Sequence, residues 1–157
     1  MKLLFKQRLF SWFDSYDIYN ENKEIIYTVE GKLSWGHKLV ISDVYGNEIG
    51  MVKEEALTFL PRFSIYINGS KVGQIKKEFS FFVPSFTLDC MGWNIKGNFF
   101  EWDYSITDDM NNEIAVISKK IFSWTDTYII DINDDKNAVY ALMIVLAIDA
   151  AKCSSGD

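Results

Sequence analysis

Few side chains in this sequence belong to types that do chemistry, and their spacing argues against the usual catalytic centres. His37 is the only histidine, and a histidine-based triad needs a nucleophile and an orienting carboxylate that converge on it. The sequence shows no such convergence, so it reads as a surface or hydrogen-bonding histidine at the start of a strand. The run Asp108-Asp109-Met110-Asn111-Asn112-Glu113 is rich in oxygen ligands, yet it lacks the glycine and distal glutamate of a calcium loop. A hairpin turn explains it. Asp131, Asp134 and Asp135 read first as strand-end and helix-cap residues, because negative charge favours a helix N-terminus. Cys90 and Cys153 have no C-x-x-C spacing and no candidate ligands beside them, which points away from a zinc site or a disulfide framework and towards a reducing cytoplasm. No P-loop, G-x-G-x-x-G or G-x-S-x-G occurs. The expectation is a domain without catalytic residues, metal ligands or cofactor. Its rival is an enzyme whose site is formed by Asp108, Asp109, Asp131 and their neighbours.

One feature has a sharper alternative. The segment Phe10-Ser11-Trp12-Phe13-Asp14-Ser15-Tyr16 returns as Phe122-Ser123-Trp124-Thr125-Asp126-Thr127-Tyr128, with five of seven positions identical. Weaker echoes are Leu33-Ser34-Trp35, Leu57-Thr58-Phe59-Leu60-Pro61 and Phe79-Ser80-Phe81-Phe82-Val83-Pro84, each generally preceded by a lysine. The unit is a lysine-ended strand, an aromatic corner and another strand. Repetition of Asp14 and Asp126 favours a structural role in which side-chain hydrogen bonds hold the corner backbone. The corner aromatics, Phe99, Phe100 and Trp102 included, either close the end of the fold or stand exposed. Exposed rings beside lysines would suit a lipid headgroup layer. The candidate partner-binding or lipid-binding residues are Trp12, Phe13, Trp35, Lys53, Lys76, Lys77, Lys119, Lys120 and Trp124.

Those corners must be positioned by strands. At 157 residues, with 48% apolar and 16% aromatic content, the chain is in the range of one domain that buries a substantial core, and residues 1–157 are read as such. Sixteen basic against 22 acidic residues give a net charge of -6, which disfavours nucleic acid. The apolar run before Lys6 is too short for a signal-peptide core. Period-two alternation recurs in short runs such as Arg62-Phe63-Ser64-Ile65-Tyr66-Ile67. Strands are expected at 2–8, 15–20, 25–31, 37–43, 48–55, 62–67, 72–78, 85–89, 93–97, 103–107, 113–119 and 126–132. Polar turns separate alternate pairs, Asn68-Gly69 most clearly. If successive strands run antiparallel, the aromatic corners all gather at one end of the sheet and the polar turns at the other.

Residues 138–148, Ala-Val-Tyr-Ala-Leu-Met-Ile-Val-Leu-Ala-Ile, form an unbroken apolar run. The run is too short to cross a bilayer core, which needs about 20 such residues. A helix over about 135–152 is expected, with Asp134 or Asp135 capping its first turn and Lys152 in its last. A helix apolar all round must be enclosed on every side, and its length of about 24 Å suits a tilted strand in a barrel. The fold predicted is mainly β: a closed antiparallel twelve-stranded barrel around a hydrophobic C-terminal helix.

The Lys-x-x-Phe-Ser-Trp style of corner (Lys6 before Phe10, Lys119 before Phe122), the strand Tyr27-Thr28-Val29-Glu30-Gly31 and the ending Leu142-Met143-Ile144-Val145-Leu146-Ala147-Ile148-Asp149 resemble the LURP-one-related family, which includes small bacterial proteins of the YxjI type. That family is similar, more distantly, to tubby C-terminal domains and phospholipid scramblases. The resemblance covers essentially the whole chain and implies the same barrel threaded by its C-terminal helix. It implies little about activity. Tubby domains are associated with phosphoinositides and scramblases with lipid movement, but no phosphoinositide site maps residue by residue onto this chain. The function expected is therefore a non-enzymatic, cytoplasmic binding domain for a phospholipid headgroup or a protein partner, peripheral rather than integral at a membrane. An oligomerising scaffold module is a third reading.

Overall fold

The computed structural model describes residues 1–6, 15–32, 34–80, 85–99, 101–122 and 125–153. Twelve strands follow one another in chain order: β1 (Lys2–Lys6), β2 (Ser15–Tyr19), β3 (Ile25–Lys32), β4 (Lys38–Asp43), β5 (Glu48–Glu54), β6 (Arg62–Ile67), β7 (Ser70–Glu78), β8 (Ser85–Cys90), β9 (Asn94–Asn98), β10 (Asp103–Thr107), β11 (Glu113–Phe122) and β12 (Thr125–Ile132). A short 3₁₀ turn over 135–137 leads into α1 (Ala138–Cys153). Every ladder is antiparallel, and β1 pairs with both β2 and β12, so the sheet wraps round in the order β8 to β1 and then β12 to β9.

The strands form because one residue in two is apolar and the polar turns between them have the right chemistry. Three of the turns share one design. In 20–24, 43–47 and 108–112 the first side chain, Asn20, Asp43 or Asp108, accepts the backbone N–H groups two and four residues on, at 2.8–2.9 Å. The fourth residue, Lys23, Gly46 or Asn111, has positive φ. Asn68-Gly69 and Met91-Gly92 instead have positive φ at both central residues, the arrangement of a two-residue hairpin turn.

Inward-facing Leu3, Ile18, Val29, Ile41, Val52, Ile65, Ile75, Ile106, Ile117 and Ile130 are all buried, and α1 runs among them. From Ala141 to Ala151 every residue of α1 is buried, so the helix has no wetted face, as its composition requires. Gly50 lies where the helix presses closest: a Cβ there would come within 2.8 Å of Met143 Sδ. Asp134 accepts from Lys136 N and caps the 3₁₀ turn rather than α1 itself, which moves the α-helical start to Ala138.

The barrel differs from the expected closed one at a single seam. β8 and β9 are consecutive and joined by the Met91-Gly92 turn, yet they form no ladder with each other. Side chains occupy the gap instead. Phe86 and Phe99 meet edge to face with centroids 5.2 Å apart, and Trp93 packs on Tyr140 of α1 at 6.0 Å. The barrel is nearly closed, with its last junction made of rings rather than hydrogen bonds.

Candidate functional site

Twelve antiparallel strands put the odd-numbered connections at one end of the barrel, the aromatic rim, and the even-numbered turns at the other. The rim aromatics divide into two groups. Trp35 is 91% exposed, Leu57 106% and Phe59 95%, and Phe79 is exposed as well. They stand on the β3–β4, β5–β6 and β7–β8 connections, next to one another around the rim. Phe99 and Trp102, on the β9–β10 connection, are buried against the end of α1. Trp12, Phe13 and Trp124, with Phe82 and Phe100, lie outside the described residues.

The lysines divide by strand parity. Lys32, Lys38 and Lys53 are direct cross-strand partners on β3, β4 and β5, one step from the buried Leu39 and Val52 and hence on the outer face. Lys32 is offset by Glu30 at 3.4 Å. Like charges placed directly opposite one another in a sheet destabilise it, so this row costs the fold something. Lys76 is also outward and pairs with Glu78 at 3.5 Å, and Arg62 beside it reaches Glu55 at 3.8 Å. Lys120 is exposed on β11. Lys77 and Lys119 share a register with buried Phe86 and Tyr128 and so turn inward. Lys119 Nζ lies 5.9 Å from the centre of the Tyr128 ring.

The opposite end is acidic. Glu21, Glu24, Asp43, Asp108, Asp109, Asp134 and Asp135 stand on its turns, against Lys23 and Lys136. The negative net charge is thus concentrated away from the rim. Its carboxylates do not converge as a catalytic cluster would. Two facing carboxylates raise one another's pKa, whereas Asp108 is held below its usual value by the side-chain hydrogen bond from Asn112 and by the turn backbone. Asp131 is paired with Lys2 at 3.1 Å. Among the described residues no three His, Cys, Asp or Glu side chains are grouped so as to hold a metal ion.

His37 sits beside Trp35 in a clasp. Its backbone N–H donates to Glu54 Oε2 at 3.0 Å, and Glu54 N–H donates back to the His37 carbonyl at 2.7 Å. Partial burial lowers the imidazole pKa, opposed by Glu54, so the ring is mostly neutral at pH 7. It anchors the corner. A cleft of about 620 Å³ opens between β1 and β2, lined by Leu4, Phe5, Tyr16 and Asp17 among others. Of its two carboxylates, Asp17 and Glu21, Asp17 already accepts from Thr28 Oγ1 at 3.1 Å.

Sequence reasoning overlooked a polar group inside the rim. Asp149 interrupts the apolar face of α1 and is only 7% exposed. Burial raises its carboxyl to about 7, opposed by Lys152. The same carboxylate raises the hydroxyls of Tyr16 and Tyr104, after burial itself. Tyr16 and Tyr128 are the closing tyrosines of the repeated seven-residue unit. Their strands flank β1, and they pack on either side of Phe5, at 6.4 and 5.2 Å between centroids. A repeat that ends in tyrosine is therefore explained by a pair near the helix end, Tyr128 buried and Tyr16 half-buried. The available signal was Asp149 itself, an acid in the middle of residues that are otherwise small or apolar.

Comparisons with known proteins agree with this architecture. An Arabidopsis thaliana protein solved by X-ray analysis superposes with a TM-score of 0.61 over 94% of this chain and 90% of its own, at 14% identity, which speaks to the fold. The uncharacterized protein YxjI of Bacillus subtilis (strain 168) is 29% identical over 150 residues, covering 95% of this chain and 92% of its own length. Residues 1–149 match the family description LURP-one-related. The chain belongs to the LURP-one-related family.

Proposed function

We propose that this protein is a non-enzymatic binding domain that attaches peripherally to an anionic lipid surface, rim first, at the cytoplasmic side of a membrane. One observation carries the reading: Trp35, Leu57 and Phe59 are almost fully exposed next to a cross-strand row of lysines that the sheet itself disfavours. Contiguous exposed apolar groups mark an interaction surface, and aromatic rings flanked by cations match the headgroup layer. Polarity supports it too. With the acidic turns at the far end, an anionic surface attracts the rim and repels the opposite pole, which orients the barrel as it approaches. In this reading Trp35, Lys38, Lys53, Lys76 and Lys120 touch the surface, and Lys77 and Lys119 line the inner edge of the rim. No helix among the described residues is long and apolar enough to cross a membrane.

Sedimentation with vesicles tests the proposal. The protein should pellet with phosphatidylcholine vesicles that contain phosphatidylglycerol, remain in the supernatant with phosphatidylcholine alone, and lose binding as salt rises. Each cation near such a surface contributes about 1 kcal/mol. Charge reversal in Lys38→Glu with Lys53→Glu should thus weaken binding by at least about thirtyfold. Equal recovery in the supernatant with both vesicle types would remove the lipid reading and leave a protein partner for the same surface.

A further inference from the structure

The last turn of α1 carries two charged groups one turn apart, and only one of them has a strong hydrogen-bonding partner. Lys152 Nζ donates to the Phe99 carbonyl at 2.8 Å and lies 4.0 Å from the centre of the Trp102 ring. Both anchors belong to the β9–β10 connection, and that connection closes the seam. Phe99 meets Phe86 of β8 across the gap where the sheet has no ladder. Trp102 packs on Tyr128 of β12 at 4.2 Å while its own backbone is held at a φ of 58°, a conformation that a bulky residue keeps only when its surroundings insist. Lys152 therefore ties the helix end to the loop that finishes the barrel.

Asp149 lies three residues before Lys152, a spacing at which helical side chains meet. It is enclosed. The titratable groups that interact with it are Tyr16 on β2, Tyr104 on β10 and Lys152 on its own helix; Tyr128 on β12 adjoins Tyr104, and Lys119 on β11 and Lys77 on β7 turn inward at the same end of the barrel. Of these, the Tyr104 hydroxyl is fully buried and has no hydrogen-bond partner among the described residues. A neutral carboxyl suits such a chamber. An ionised one needs a counter-charge, because an unpaired buried carboxylate is costly, and the nearest ammonium on the same helix is the one engaged with the loop.

We propose that Lys152 is a proton-controlled latch: it holds the β9–β10 connection while Asp149 is protonated and turns to Asp149 when the carboxyl ionises, releasing Phe99 and Trp102. The competition is uneven in each state. A carbonyl and an aromatic face together hold the ammonium against a neutral carboxyl, whereas an ionised carboxylate adds the attraction of a full opposite charge, which a neutral carbonyl does not offer and which is large at a buried site. Burial of the carboxyl brings the change into the neutral pH range. Release loosens the seam at the rim and leaves the eleven hydrogen-bonded ladders in place.

The indole N–H resonance of Trp102, assigned by its disappearance in Trp102→Phe, tests this in the intact protein between pH 5.5 and 8.5. The expected result is a titration with a midpoint near 7, flat in Asp149→Asn, where the latch stays shut, and flat in Lys152→Met, where there is none. A Trp102 signal that does not titrate in the wild-type protein overturns the proposal without any further variant being needed. Persistence of the titration in Lys152→Met also overturns it, since Trp102 would then be sensing only the nearby charge.

Discussion

Replacing Asp149 by asparagine should stabilise the protein by an amount that is small at acid pH and grows as pH rises through neutrality. The folded-state pKa of Asp149 is raised from 3.8 to about 7, so folding favours the protonated carboxyl. Its stabilising contribution is complete below the unfolded value and is lost as pH rises towards 7, where the unfolded chain holds fewer protons than its native form would prefer. Each unit of pKa difference corresponds to about 1.4 kcal/mol. By linkage, the asparagine variant should gain about 1 kcal/mol over wild type at pH 4.5, and about 4 kcal/mol by pH 8. Asp43, Asp108 and Asp134, whose pKa values are lowered by turn and cap hydrogen bonds, lose stability in acid in both proteins, so they cancel in the difference. Urea denaturation at half-unit intervals from pH 4.5 to 8.5 measures it. Two parallel stability curves, separated by a constant amount, would refute a buried carboxyl that ionises only near neutrality.

Leu142→Asp places an unpaired charge on the fully buried helix and should cost several kcal/mol, so that most of the protein is recovered unfolded or aggregated; cooperative thermal unfolding at an unchanged midpoint would contradict an enclosed helix. Gly50→Val pushes a branched side chain into Met143 and should lower stability by about 2 kcal/mol in chemical denaturation. Trp35→Ala with Phe59→Ala removes two exposed rings and should change stability by no more than about 0.5 kcal/mol per site, while abolishing recovery with phosphatidylglycerol vesicles. A large fall in melting temperature for that pair would show the rings to be structural.

Much of the architecture was legible because two signals are local. Alternation of apolar residues marks a strand, and a side chain such as Asp108 or Asn68 at the right place marks a turn. Both survive without knowledge of the tertiary fold. The helix could be read from composition alone, since residues 138–148 leave no side to face water. The seam could not. Met91-Gly92 is a good hairpin turn, and nothing in 85–98 announces that Phe86 and Phe99 will fill the space where hydrogen bonds were expected. Nor could the rim aromatics be sorted in advance. Trp35 and Trp102 occupy similar corners, but only the second lies over the end of α1, where Lys152 reaches its ring. Asp149 closes an apolar run in the sequence, and nothing local to it tells a buried acid from an exposed one. The structure puts it inside, among tyrosines that three separate strands bring together.

The placement of the core in α1 has a consequence for how the protein is made. A chain leaving the ribosome presents its twelve strands before the helix they enclose. Until residues 138–151 emerge, those strands have no interior to condense on, and early segments cannot settle as independent units the way amino-terminal domains commonly do. β1 must moreover wait for β12, about 125 residues later, a long-range pairing of the kind that slows folding. The nascent chain therefore carries its greasy strands uncovered until the helix emerges, and a message or ribosome that stops short of Leu142 yields a shell with nothing to wrap, ready for chaperones or proteolysis.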